Sequence, residues 1–159
     1  MTERSAVEAI GAYWFEVQIE TPKVGGKSWK ASTWFVVRSI SGLVQIMETQ
    51  DIYEGGASGQ YKTLPGRTHW PSLVLQGVVA KDDKTFFEWF ASVKIGKIGE
   101  SRAHGTIRLK QGGNNSALAT WVFEGAFPIK YTGPSLDTHS TLLAFETIEL
   151  THLGLKRTT

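Results

Sequence analysis

The chain contains no cysteine, which excludes disulfides and thiolate metal sites. That fits a protein made in a reducing cytoplasm. Long apolar runs are missing as well. The longest strongly apolar stretch is WFVV at 34–37, far short of the roughly 20 residues a membrane helix needs, so no stable membrane insertion is expected. The opening MTERSAVEAI lacks the apolar segment of a secretory signal peptide. Charge of one sign is missing too: 17 Lys and Arg face 15 Asp and Glu, for a net +2. The basic residues are scattered, so no stripe marks a nucleic-acid binder.

What is present is a globular composition. The 159 residues, 41% of them hydrophobic, suit a single domain over 1–159 that hides about 70% of its unfolded surface. Most of the chain reads as short strands. In YWFEVQIE (13–20), Phe15, Val17 and Ile19 alternate with Glu16, Gln18 and Glu20, the period of a half-buried strand. STWFVVRSI (32–40), PSLVLQGVV (71–79), GTIRLK (105–110), ATWVFEGAFPIKY (119–131) and LLAFETIELT (142–151) read likewise. QGGNNS (111–116) is a hairpin-loop signal. One segment has a different period. In DDKTFFEWFASVKIG (82–96), Phe86, Trp89, Phe90 and Val93 fall at i, i+3, i+4 and i+7, which predicts one α-helix at about 82–95. Asp82 or Asp83 can cap its start and Gly96 can end it. The expected class is mainly β: two packed antiparallel sheets forming a barrel-like sandwich with that helix.

Residues 43–53, LVQIMETQDIY, fit a core poorly. One parity mixes Leu43, Met47 and Tyr53 with Gln45, Thr49 and Asp51; the other mixes Val44, Ile46 and Ile52 with Glu48 and Gln50. Such a strand gains little on its own core. It is either a solvent-exposed hairpin or an arm whose edge pairs with another chain. YEGGASGQYKTLPGR (53–67) follows, with glycines and a proline in place of core residues.

Catalytic and cofactor chemistry finds no constellation. His69, His104, His139 and His152 show no metal-ligand spacing, and each is expected at a surface or interface. GGASG is not a nucleophile elbow, because Gly59 directly follows Ser58. GGASGQYKTLPG is not a phosphate loop, because Tyr61 and not glycine precedes Lys62. Glu146 and Glu149 point to opposite faces of a strand and form no acid/base pair. No cofactor, metal site or enzymatic activity is expected. A carbohydrate- or ligand-binding β-sandwich is the other class to weigh, with Trp29 and Trp70 as candidate exposed stacking residues.

Several segments in order then resemble the tail tube proteins of contractile phages and phage-derived contractile injection systems. YEGG (53–56) followed by KTLPGR (62–67) looks like the family's Glu-Gly-Gly…Lys-Leu-Pro-Gly pattern. SLVLQGVV (72–79), EWF (88–90) and WVFEGAFPIKYTGPSLDTHSTLLAFETIELTHLGL (121–155) continue the likeness. It covers about residues 35–155. Thr63 between Lys62 and Leu64, and Gln76 where a lysine is usual, depart from the pattern.

The resemblance implies a tail-tube fold, homohexameric rings stacked into a hollow tube inside a sheath, and baseplate and terminator partners. The lumen would hold DNA or effector cargo. It also implies synthesis in the bacterial cytoplasm and a place in a phage virion or an injection particle, as main tube or as initiator ring. The projecting β-arm is placed at about 43–67. Tyr53, Glu54, Gly55, Gly56, Lys62, Leu64, Pro65, Gly66 and Arg67 are its assembly candidates, while Thr106, Arg108 and Lys110 are candidates to line the lumen.

Overall fold

The computed structural model describes residues 14–20, 34–35, 37–53, 61–79, 83–110, 116–137, 139 and 143–158. Its strands are β1 (Trp14–Glu20), β2 (Trp34–Phe35), β3 (Val37–Ser41), β4 (Ile46–Tyr53), β5 (Tyr61–His69), β6 (Leu73–Val78), β7 (Ala103–Lys110), β8 (Ala117–Thr132), β9 (Phe145–Thr151) and β10 (Gly154–Arg157). Two helices, α1 (Thr85–Lys94) and α2 (Ile98–Ser101), lie between β6 and β7. The main strands run in the order β2-β1-β7-β8-β9-β6-β3, with β10 also on β8, and every pairing is antiparallel.

The long strand β8 is what makes this two layers. Up to Ala126 it pairs with β7, and over Trp121–Glu124 it also pairs with β10. From Phe127 it pairs with β9. The change falls at Gly125, whose φ of 62° lies in the left-handed region that favours glycine. A Cβ there would also meet Leu153 Cδ1 at 2.7 Å. The strand thus hands one sheet over to the next. Among the described residues the order ends at β2 and β3 and does not close into a barrel; they form an open sandwich.

The core follows from strand alternation. Val17 and Ile19, Leu73 and Leu75, Ile107, Phe123, Ile148 and Leu150 are all buried, each contributing about 1.5–3 kcal/mol of burial. The ring of Phe123 lies over Gly105, its register partner. A Cβ on Gly105 would sit 2.1 Å from Phe123 Cζ, so only glycine leaves the ring its place.

Helix α1 closes one side. Phe86 and Trp89 are buried as the periodicity predicts, but Phe90 and Val93 are half-buried and Ser92 takes a core position. Asp83 Oδ1 accepts the Thr85 N–H at 3.0 Å at the helix start. Gly96 (φ 88°) turns the chain at its end, with its N–H on the Val93 carbonyl. The single expected helix is therefore shorter, and a second turn of helix, α2, follows it. The reason is polar: Ser101 on α2 is fully buried, bonds the Ser92 hydroxyl, and accepts Trp89 Nε1–H on its carbonyl at 2.7 Å.

Candidate assembly interface

The arm leaves the sandwich through a tight turn. Gly42 has φ 92°, and a Cβ on it would strike the Ser72 carbonyl at 2.1 Å. Leu43 and Trp70, on either side of the hairpin's root, pack against the core. Gln45 Nε2 donates to the Leu155 carbonyl at 2.6 Å and ties the root to β10.

Beyond that root the hairpin stands apart. Among the described residues, β4 and β5 pair only with each other, and every residue of both strands is exposed. The register sets Tyr53 against Tyr61, Asp51 against Thr63 and Thr49 against Pro65. The Tyr53 and Tyr61 rings lie 6.0 Å apart, and Thr63 Oγ1 donates to Asp51 Oδ1 at 2.7 Å. A bulge interrupts the pairing between Met47 and Thr49. There a Cβ on Gly66 would approach the Glu48 carbonyl at 3.0 Å. His69 Nδ1 lies 3.9 Å from Glu48 Oε1. The two faces are mixed, as the sequence predicts, and both carry uncovered apolar groups. Tyr53 is 78% exposed, Tyr61 58%, Met47 56% and Leu64 45%. Such a row of apolar groups and two unpaired edges is a template for another chain.

The structure brings Tyr53, Lys62, Leu64, Pro65, Gly66 and Arg67 together on this hairpin. Glu54, Gly55 and Gly56 lie outside the described residues. Thr106, Arg108 and Lys110 share the face of β7 that points away from the core, beside Glu16 and Gln18 of β1. Lys110 Nζ meets Glu16 Oε1 at 2.6 Å, and Arg108 stands opposite Glu16 in register. The cations of this face therefore have acidic company within their own sheet.

Two expectations need correction. Trp70 is not an exposed stacking residue, since it is half-buried against the core with an enclosed Nε1. Trp29 lies outside the described residues. His152 is not at the surface; it is 7% exposed, with Nδ1 3.2 Å from the Gly154 carbonyl. Its place just after β9, where the chain turns back into β10, buries it, and nothing in the local sequence pattern marks that. Among the described residues no group of His, Cys, Asp and Glu is arranged to hold a metal, and no helix is long and apolar enough to cross a membrane.

One paired acidic site does stand out. Tyr131 O–H donates to Glu146 Oε2 at 2.9 Å under the aromatic end of α1, where Phe87 and Phe90 lie 5.7 and 6.4 Å from the Tyr131 ring. Burial pushes the Glu146 carboxyl above its ordinary range, and nearby Asp83 adds repulsion, while the Tyr131 bond works the other way. Tyr131 is also raised, by burial first and then by Glu146. The arrangement is a packing contact in which the Tyr131 hydroxyl is the proton donor.

This architecture has known counterparts. A chain of the extracellular contractile injection system in the PVC sheath–tube complex, extended state, superposes with TM-score 0.80 at 23% identity, covering 96% of this chain and 93% of that one. A chain in the anti-feeding prophage (AFP) baseplate gives TM-score 0.77 at 21% identity, covering 97% of each. Hcp1 from Flavobacterium johnsoniae gives 0.53 at 19% identity, covering 91% and 94%. At these identities the likeness is one of fold. Among curated protein sequences none matches. The sequence itself matches a family model over residues 11–156, nearly its whole length. The chain belongs to the family of the T4-like virus tail tube protein gp19.

Proposed function

We propose that this chain is the structural subunit of the inner tube of a contractile phage tail or contractile injection system. Six copies form a ring, rings stack into a hollow tube within a sheath, and sheath contraction drives the tube through the target envelope. The lumen conducts DNA or protein cargo; the tube ends meet baseplate and terminator proteins. Family membership supports the tube role, and tail tube proteins are structural components, not enzymes. The observation that carries the assembly reading is the hairpin β4–β5, fully exposed, with apolar groups on both of its mixed faces and, among the described residues, paired only within itself. A lone hairpin of this kind is marginal in water and is completed by a neighbouring subunit. Tyr53, Lys62, Leu64, Pro65, Gly66 and Arg67 form that contact, together with Glu54, Gly55 and Gly56.

Thr106, Arg108 and Lys110 line the lumen in this reading. The Glu16–Lys110 pair then matters, because a lining of unopposed cations would hold a polyanion in place. Likeness to a chain within the AFP baseplate supports a second reading, an initiator ring at the base of the same machine.

Negative-stain microscopy of the purified chain, or of its native particle, is expected to show rings or tubes of constant bore. A strictly monomeric protein that binds sugars saturably would sink the tube reading. Replacing Gly55 and Gly56 by valine is expected to block assembly while circular dichroism stays β-rich.

A further inference from the structure

The sandwich has an edge shaped to receive a strand. Among the described residues β10 pairs with β8 alone. The Leu155 carbonyl points off the opposite edge, where the Gln45 side chain supplies an N–H at 2.6 Å. A strand entering along this edge would replace that side-chain amide with a backbone N–H. Alongside lies a cleft of about 640 Å³ between the hairpin root (Gln45, Thr68, Trp70) and the β10 segment. Trp70 lines this cleft with its ring packed against the core.

Charge indicates what enters. Lys156 and Arg157 line the cleft against one acid, Glu124. Strand β4 is the opposite: it carries Glu48 and Asp51 and no Lys or Arg, and its outer edge is unpaired among the described residues. We infer that β4 of a second copy lies along β10 as an added strand, with Glu48 and Asp51 beside Lys156 and Arg157. The inference rests on the ring-forming reading above and specifies where one subunit's arm is received.

Absence of native cysteine gives a clean test. Thr49→Cys or Gln50→Cys is combined with Lys156→Cys in the full chain, all three positions being exposed, and assembled material is oxidised mildly. The expected result is a ladder of covalent multimers on a non-reducing gel that collapses with reductant. Tubes visible by microscopy that give no ladder with either pair overturn this seat and leave the tube reading standing. A native chain that forms neither rings nor tubes overturns both. Charge supplies a second check. Lys156→Glu is expected to raise the concentration needed for assembly about tenfold, and adding Asp51→Lys is expected to restore it. Further loss in the doubly reversed chain overturns the charge pairing.

Discussion

Strands β4 and β6 hold similar amounts of apolar side chain and end in opposite environments. In β6, LVLQGV, Leu73 and Leu75 share one parity and are fully buried. In β4, IMETQDIY, Ile46 and Ile52 share a parity with Glu48 and Gln50, and all eight residues are exposed. Hydrophobic content is not what docks a strand; a face with no charged member is. A mixed strand laid on the core would bury Glu48 or Asp51 without a partner, a penalty larger than the gain from its apolar neighbours. The chain separates its buried apolar residues, held in the sandwich, from exposed apolar residues, held in the hairpin.

That separation is tested most severely at Phe123. Phe123→Ala empties the space over Gly105 and is expected to cost about 3–5 kcal/mol, lowering the denaturant midpoint of the isolated chain. Assembly then fails only because the subunit unfolds. The hairpin is expected to behave in the reverse way. Tyr53→Asp with Leu64→Asp should leave the midpoint within about 0.5 kcal/mol yet raise the concentration needed for tube formation at least about tenfold, since two apolar anchors become charges at a contact. Light scattering beside urea denaturation separates the two readouts. A large loss of monomer stability in the hairpin variant would erase the distinction between the regions.

Much of this division was legible in the sequence. The clean alternation of Val17 and Ile19 with Glu16, Gln18 and Glu20 marks β1 as core, and the mixed parity of 43–53 marks the strand that is not. What was hidden is long-range and polar. Ser92 and Ser101 are poor core residues by composition, yet each satisfies the other across a short loop. Nothing in the 3.6-residue period announces that partner. The handover of β8 at Gly125 was equally silent, because FEGAFP reads as one strand whether or not it bends. The burial of His152 and Trp70 is equally hidden in the sequence, because it depends on where β10 and the hairpin root come to lie.

The serine cluster gives a smaller test within the stable region. Trp89→Phe keeps most of the ring but leaves the buried Ser101 carbonyl without its indole N–H. About 1–3 kcal/mol is expected to be lost on that account, read as a shift in denaturant midpoint, with tube formation by the folded fraction unchanged. Loss of assembly without loss of stability would mean that α1 also serves as a contact.

The smallest effect concerns Glu146, where acid and aromatic packing meet. Its carboxyl is held above the ordinary range, chiefly by burial and then by Asp83. A raised folded value means that the native state binds the proton more tightly than the unfolded chain does. The associated stability is fully present below the ordinary glutamate range and is lost as pH rises through the folded value. Measured against Glu146→Gln, which cannot titrate, the native chain should therefore lose stability between acid and neutral pH. Asp83→Asn removes the repulsion yet keeps an oxygen for the Thr85 N–H, so it should flatten that slope without shortening α1. The sign is the informative part, because the Tyr131 hydrogen bond favours the ionised carboxylate and opposes the other two influences. A slope of opposite sign would show that the hydroxyl outweighs burial, and Tyr131→Phe would then reverse it. Either result belongs to the junction of α1, β8 and β9. Denaturation of the hairpin variants over the same pH range should reproduce the native slope, since no hairpin residue takes part in the Tyr131–Glu146 contact.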